Sequence, residues 1–266
     1  RCKAMTVIIL LIIGLVSSII GSLIGVGGGI IIVPTLVFIG ANFDLLSGIT
    51  TQTAIGISSV TLVFTGLFSI IAYRGKGKDA IDFRNGILFS IGIIPGSLLG
   101  AYLSQFLNDI YFNIIFGIFL FLISILLFIK DYLASKKDST TEKNVNLTLG
   151  IIFAFFVGIS AGLFGIGGGV LMTPLMIIVF NFTPHVAVAT SMIIIFTSSL
   201  ASSVGHVIQG HVIWGYGLIL IIASYVGTKC GVKINRSINS AKLSNLLKFV
   251  LICLSIYLII KGFIEL

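Results

Sequence analysis

The sequence predicts an all-α, polytopic membrane protein made of two homologous repeats, and three observations carry that reading. Of its 266 residues, 57% are hydrophobic and 9% charged, with a mean hydropathy of +1.21; a soluble domain carries about 25% charged residues. Apolar runs recur along almost the whole chain, several reaching the ~20 residues a helix needs to cross hydrocarbon. Residues 21–36, GSLIGVGGGIIIVPTL, return as residues 161–176, AGLFGIGGGVLMTPLM. The runs are continuous rather than alternating, which excludes a membrane β-barrel.

Taken in order, the first half has apolar segments at 5–22, 30–40, 47–73, 84–106 and 110–130. The segment at 5–22 has the look of a signal-peptide core, but it runs straight into the glycine cluster that the second half repeats, so it belongs to the folded protein. Segment 30–40 is only half a bilayer long at 1.5 Å per residue, and it follows that cluster with Pro34 inside it. Gly96 and Gly100 mark the fourth segment. The second half answers with 147–163, the short 170–181 containing Pro174, then 186–206, 213–234 carrying Gly227 and Gly231, and 243–263. Between the halves, 131–146 is polar and rich in Ser, Thr and Lys. The chain thus divides into a first membrane repeat (1–130), a polar cytoplasmic linker (131–146) and a second membrane repeat (147–266). Each repeat is a glycine-broken helical hairpin plus three long transmembrane helices.

The short segments decide the topology. If each returns to the side it came from, every half crosses an odd number of times and the repeats are inverted. If each completes a crossing, the repeats are parallel. Inversion puts thirteen of the sixteen lysines and arginines on the cytoplasmic side, leaving Arg1, Lys3 and Lys261 outside. The parallel arrangement moves the cluster around Arg236 out and retains eleven. The positive-inside rule therefore favours inverted repeats. The net charge of +8 belongs to loops and helix ends, so it marks a membrane face and not a nucleic-acid partner.

Chemistry is expected at the glycine clusters. Gly25, Gly27, Gly28 and Gly29, and their counterparts Gly165, Gly167, Gly168 and Gly169, interrupt apolar runs. Such a turn aims backbone N–H groups and a helix N-terminus at one spot, which suits an anion or carboxylate. Paired interruptions in two halves point to a transporter's substrate site. Thr50, Thr51 and Gln52 open one following segment, and Thr190 and Ser191 stand opposite them in the other, with Gln52 facing Ser191. Their hydroxyls and amide are candidates to complete the anion's coordination, or to bond across a helix interface. Gly96–Gly100 and Gly227–Gly231 read as small-xxx-small packing pairs. His206 and His211 flank the VIQG turn and His185 follows Pro184; all three fall at segment ends, where a hydrated interfacial role is expected. Cys2, Cys230 and Cys253 form no metal or disulfide pattern, and no cofactor motif is present. No catalytic constellation supports an enzyme. No intramembrane carboxylate marks a coupling ion, proton or sodium.

These motifs, with the HVAVATS run at 185–191 and the paired glycines, resemble the TauE/SafE sulfite-exporter family over about residues 6–263. The resemblance implies a multi-pass permease of the bacterial or archaeal inner membrane for small sulfur-containing anions such as sulfite or organosulfonates, embedded in the lipid bilayer. Alternating access around the glycine breaks is the mechanism expected. A passive anion channel, or a membrane subunit of a larger assembly, is the alternative.

Overall fold

The computed structural model describes residues 2–42, 49–74, 81–106 and 147–264, with isolated positions between 114 and 128. The linker 131–146 and most of the segment at 110–130 lie outside the described residues. All regular structure among the described residues is helical: α1 (Cys2–Ile24), α2 (Gly29–Asn42), α3 (Thr51–Tyr73), α4 (Phe83–Leu103), α5 (Leu147–Phe164), α6 (Gly169–Ile178), α7 (Pro184–Ile208), α8 (Trp214–Ser237) and α9 (Ser240–Ile264). A 3-10 turn, Ser104–Phe106, follows α4.

Five of these helices, α1, α3, α4, α7 and α8, are long and apolar enough to cross a membrane. The short α2 and α6 span 14 and 10 residues, about 21 and 15 Å at 1.5 Å per residue. Both follow a break made by glycine. Gly25 and Gly165 take φ values of +77° and +63°, a left-handed conformation that ends a helix and suits glycine. At the first break the amides of Gly25, Val26 and Gly27 all fold back on Gly21 O, at 3.0, 3.0 and 3.3 Å. α3 starts for a different reason. Thr50 and Thr53 form a reciprocal capping box, side chain to backbone in both directions. At its far end Arg236 reaches 2.9 Å to Ala72 O, placing a cation at the negative end of α3.

The halves interlock. α1 lies along α8, and α5 along α4, in the most extensive helix pairings of the described chain. Glycines explain the closeness. A Cβ on Gly92, Gly96 or Gly100 would collide with the carbonyls of Ile151, Phe155 and Ile159, in that order. Gly227 and Gly231 likewise press on Ser18 and Ser22 of α1. The stripes foreseen as packing pairs therefore join α4 and α8 to the first helix of the opposite half, with membrane backbones brought into direct contact. In both seams the numbering rises together, so the paired helices run parallel.

α3 and α7 occupy the centre. Their apolar windows are 67% and 72% buried, against 44–50% for the other three long helices. They run antiparallel, since His211 lies at Gly56, Ser202 at Ser59 and Phe196 at Gly66. The C-terminal ends of α1, α3 and α8 gather on one side, where Tyr73 donates to Ser22 O at 2.7 Å and Asn235 to Leu23 O at 2.6 Å. Those of α4, α5 and α7 gather on the other. There His206 meets Gly162 O at 3.3 Å and Gln209 donates to Ala101 O at 3.0 Å.

Outward faces are greasy. Ile8, Ile12, Ile87, Ile91, Leu218 and Ile222 are all exposed, as lipid-facing positions of a spanning bundle should be. Lys229 lies against the Tyr225 ring, with Nζ 4.0 Å from its centroid, a snorkelling posture.

Candidate functional site: two glycine breaks at the bundle centre

The two breaks come together between α3 and α7. A Cβ on Gly29 would lie 2.6 Å from Gly165 O, and one on Gly169 would lie 2.5 Å from Gly25 O. The first residue of each short helix therefore touches the first carbonyl of the opposite break. Only glycine permits that approach at either position.

Each break is held by a serine from the long central helix of the other half. Ser58 donates to Gly165 O at 2.7 Å, and Ser191 donates to Gly25 O at 2.9 Å. Because Gly25 and Gly165 are the matched residues, Ser58 is the structural counterpart of Ser191. This replaces the alignment that set Gln52 opposite Ser191. That alignment carried the spacing of the glycine clusters into the next helix, but the connection between α2 and α3 is longer than that between α6 and α7. In the corrected register Gln52 corresponds to His185.

The remaining sequence candidates separate into two groups. Gly25, Gly27, Gly29, Gly165, Gly167, Gly169 and Ser191 meet at the centre, whereas Gly28 faces Ser17 of α1 and Gly168 faces Ile93 of α4 and Val157 of α5. Thr190 points elsewhere, accepting from Asp82 N at 3.0 Å where α4 begins. Thr50 is exposed and caps α3, while Thr51 and Gln52 are half-buried in its first turn. Ser58 lies two turns further along.

Residues that the sequence reading passed over complete the site. Thr173 adds a second donor to Gly25 O, at 2.8 Å, and Ser198 accepts from Gly168 N at 3.0 Å. Ser199 is 1% exposed, and its hydroxyl finds no partner among the described residues. It lies 3.3 Å from where Gly167 would carry a Cβ, so an unmatched buried hydroxyl faces the second break. Leu62 and Ile195, both fully buried, cover the breaks. Leu62 reaches Gly29 and Gly167, and Ile195 reaches Gly27 and Gly169. The signal for these residues was present in the sequence. Ser58, Thr61, Thr65 and Ser69, all buried, recur every three to four residues and form one hydroxyl stripe on an otherwise apolar helix.

The two central serines make a graded prediction. Ser58 is the one side-chain donor to Gly165 O among the described residues, whereas Gly25 O keeps Thr173 if Ser191 is lost. Ser58→Ala should destabilise the detergent-solubilised protein by about 1 kcal/mol, and Ser191→Ala by less, as interhelical hydrogen bonds in membranes are worth roughly 0.6–1.7 kcal/mol. Thermal melts of both variants check this; a larger effect for Ser191→Ala would contradict the assigned partners.

The histidines differ from expectation. His206 is fully buried and His185 is 8% exposed, so neither is a hydrated interfacial side chain. Asn235, itself buried, bridges His185 Nδ1 (3.2 Å) to Leu23 O beside the first break. Packing causes this burial: Gly162 of α5, from its own half, holds the His206 ring while Ala101 of α4, from the other half, lies against Gly205, and His185 is met by Asn235 of α8, itself tied to α1 of the other half.

Comparison with known proteins agrees with this architecture. The family model described as sulfite exporter TauE/SafE matches residues 10–258. The chain is 43% identical to the probable membrane transporter protein YunE of Bacillus subtilis, over 97% of this chain and 99% of that protein. It is 29% identical to a probable membrane transporter protein of Methanocaldococcus jannaschii, over 95% of each. A TauE/SafE family protein of Arabidopsis thaliana is 30% identical over 41% of this chain and 24% of its own length. No solved structure matches. These relatives and the family describe a membrane transporter and not an enzyme, in keeping with five helices able to span a bilayer. The chain is a multi-pass membrane protein and belongs to the sulfite exporter TauE/SafE family.

Proposed function

We propose that the protein is a secondary carrier of small sulfur-containing oxyanions, sulfite or organosulfonates, working by alternating access around its two glycine breaks. One observation carries the reading: two matched backbone breaks touch at the centre of the bundle, each held by a serine of the other half. A compact oxyanion is served by hydroxyl and backbone N–H donors. Ser199, unmatched and buried beside Gly167, is such a donor. The absence of arginine or lysine from the central helices α3 and α7 favours release over tight capture. The family's description as sulfite exporters supports the substrate class.

Inverted repeats make the mechanism workable. The antiparallel course of α3 and α7, and the gathering of three helix ends on each side, support two repeats related by an axis in the membrane plane. With the breaks in contact and Leu62 and Ile195 buried over them, the arrangement is that of an occluded carrier. Movement of one repeat against the other opens the break region to each side in turn. A passive pore would need no such closure.

Flux in proteoliposomes containing only this protein tests the proposal. Sulfite uptake should saturate, show counterflow, and be competed by sulfonates and thiosulfate more strongly than by chloride. Flux that rises linearly with concentration and shows no counterflow would make it a channel. No flux of any sulfur oxyanion from folded protein would reject the substrate class.

A further inference from the structure

A polar cluster at the end of α7 belongs to none of the features above. His206 is fully buried, and its Nε2 lies 3.3 Å from Gly162 O. A carbonyl oxygen only accepts, so Nε2 carries the hydrogen and donates, and Nδ1 of the neutral ring is a bare acceptor. No described donor meets it. Three residues on, Gln209 donates through Nε2 to Ala101 O, which leaves its buried Oε1 as a second acceptor without a donor. His211 sits with its ring 6.0 Å from that of His206, and its Nδ1 is also buried and unmatched. The cluster is tied down on several sides. The His211 amide donates to His206 O at 2.9 Å, and the His211 carbonyl presses on Gly56 of α3.

A buried acceptor without a donor is costly, and three unmatched polar atoms in one place ask for a ligand. An oxyanion would add acceptors where acceptors are already in excess. A hard metal cation prefers a shell of oxygens, whereas the fully buried residue here, His206, offers an imidazole nitrogen. Imidazole is the side-chain base that takes and gives protons near neutral pH.

We propose that His206 Nδ1 is the proton-binding site of a proton-coupled carrier, with His211 and Gln209 forming its approach from the adjacent membrane face. The proposal rests on the carrier function proposed above. Apart from His211, no titratable group faces His206 among the described residues. α3 and α5 contain no charged residue, and α4 has only Arg84, at its opposite end. Tyr102 of α4 is exposed on the outer surface.

Coupling follows from position. Gly162, which holds the His206 ring, precedes Gly165 by three residues, about 4.5 Å along the helix axis. A proton arriving from water forms an N–H bond at Nδ1 and converts the ring to an imidazolium. This puts one positive charge beside the second glycine break. A lone charge is expensive in such surroundings, and a nearby opposite charge offsets part of that cost. Proton and monoanion therefore bind together and leave together, so one cycle moves both in the same direction without net charge.

The test uses the full chain in proteoliposomes with an entrapped pH-sensitive dye. The probe is radiolabelled methanesulfonate, a strong-acid anion that stays singly charged between about pH 5 and 8, the range over which histidine changes charge, so any pH effect belongs to the protein and not to the probe. An inward methanesulfonate gradient should acidify the lumen. His206→Gln, whose amide can still donate to Gly162 O, should lose acidification by about tenfold or more, while methanesulfonate counterflow falls by less than about threefold. Three results would overturn the site: methanesulfonate entry with no lumenal pH change, acidification by His206→Gln at the unmutated rate, or parallel loss of acidification and counterflow. The first two leave the carrier itself standing. Absence of all sulfur-oxyanion flux in the unmutated protein rejects the carrier, and the proton site with it.

Discussion

Gly29→Val and Gly169→Val should each reduce transport by about a hundredfold or more while leaving the membrane bundle assembled, because a misplacement of ~1 Å at a working site can cost 10²-fold. A Cβ at Gly29 would stand 2.6 Å from Gly165 O and 2.8 Å from Ile166 Cα. Both are backbone atoms of the opposite break, so nothing can rotate away. The added volume has to push the two breaks apart, at a stability cost of about 1–3 kcal/mol typical of overpacking. At Gly169 the obstacles are Gly25 O and the side chain of Ile195, of which only the latter can yield. The seams between α1 and α8 and between α4 and α5 lie outside this contact, so the bundle should persist. Anion flux in proteoliposomes, paired with size-exclusion profiles and thermal melts, separates function from folding. Normal flux in both variants would show that contact between the breaks is not part of the transport cycle.

Gly96→Val should have the reverse signature. Its Cβ would collide with Phe155 O, one turn of a seam that continues through Gly92 at Ile151 O and Gly100 at Ile159 O. The seam meets matching glycines from the other side, with Gly158 against Ile93 O and Gly162 against Ser97 O. Forcing these helices apart loses close backbone packing along their length, and lipid offers no hydrophobic return to restore it. A loss of about 3 kcal/mol, the upper end of overpacking effects, is expected, seen as poor recovery of monodisperse protein and a lowered melting temperature. Gly215→Ala is the control: Gly215 is exposed, nothing among the described residues lies within 4 Å of its added Cβ, and its melt should match the unmutated protein. If Gly96→Val melts like Gly215→Ala, α4 and α5 are not held by this seam.

The contrast between those two glycines also separates what the sequence decided from what it left to the fold. Helical class and the positions of both breaks were legible, because each is a local property. Hydrophobic length sets a crossing, and a glycine run with a following proline interrupts a helix wherever it stands. The duplication was legible for the same reason, as the motif GVGGGIIIVP recurs as GIGGGVLMTP. Which stripe of small residues meets which helix was not. Gly96 and Gly227 read alike, but only the assembled bundle shows that each packs against the first helix of the opposite half.

The candidate site was half legible. That the glycine clusters mark two breaks could be read from the sequence, but the register of the helices that follow them could not, because the connection after α2 is longer than that after α6. Ser58 was therefore hidden behind Gln52. His206 shows the limit most clearly. Its place near the end of a long apolar segment predicts hydration, yet α5 of its own repeat and α4 of the other enclose it. Burial at a segment end is decided by whichever distant helix lies over it, and that is a property of the tertiary arrangement alone.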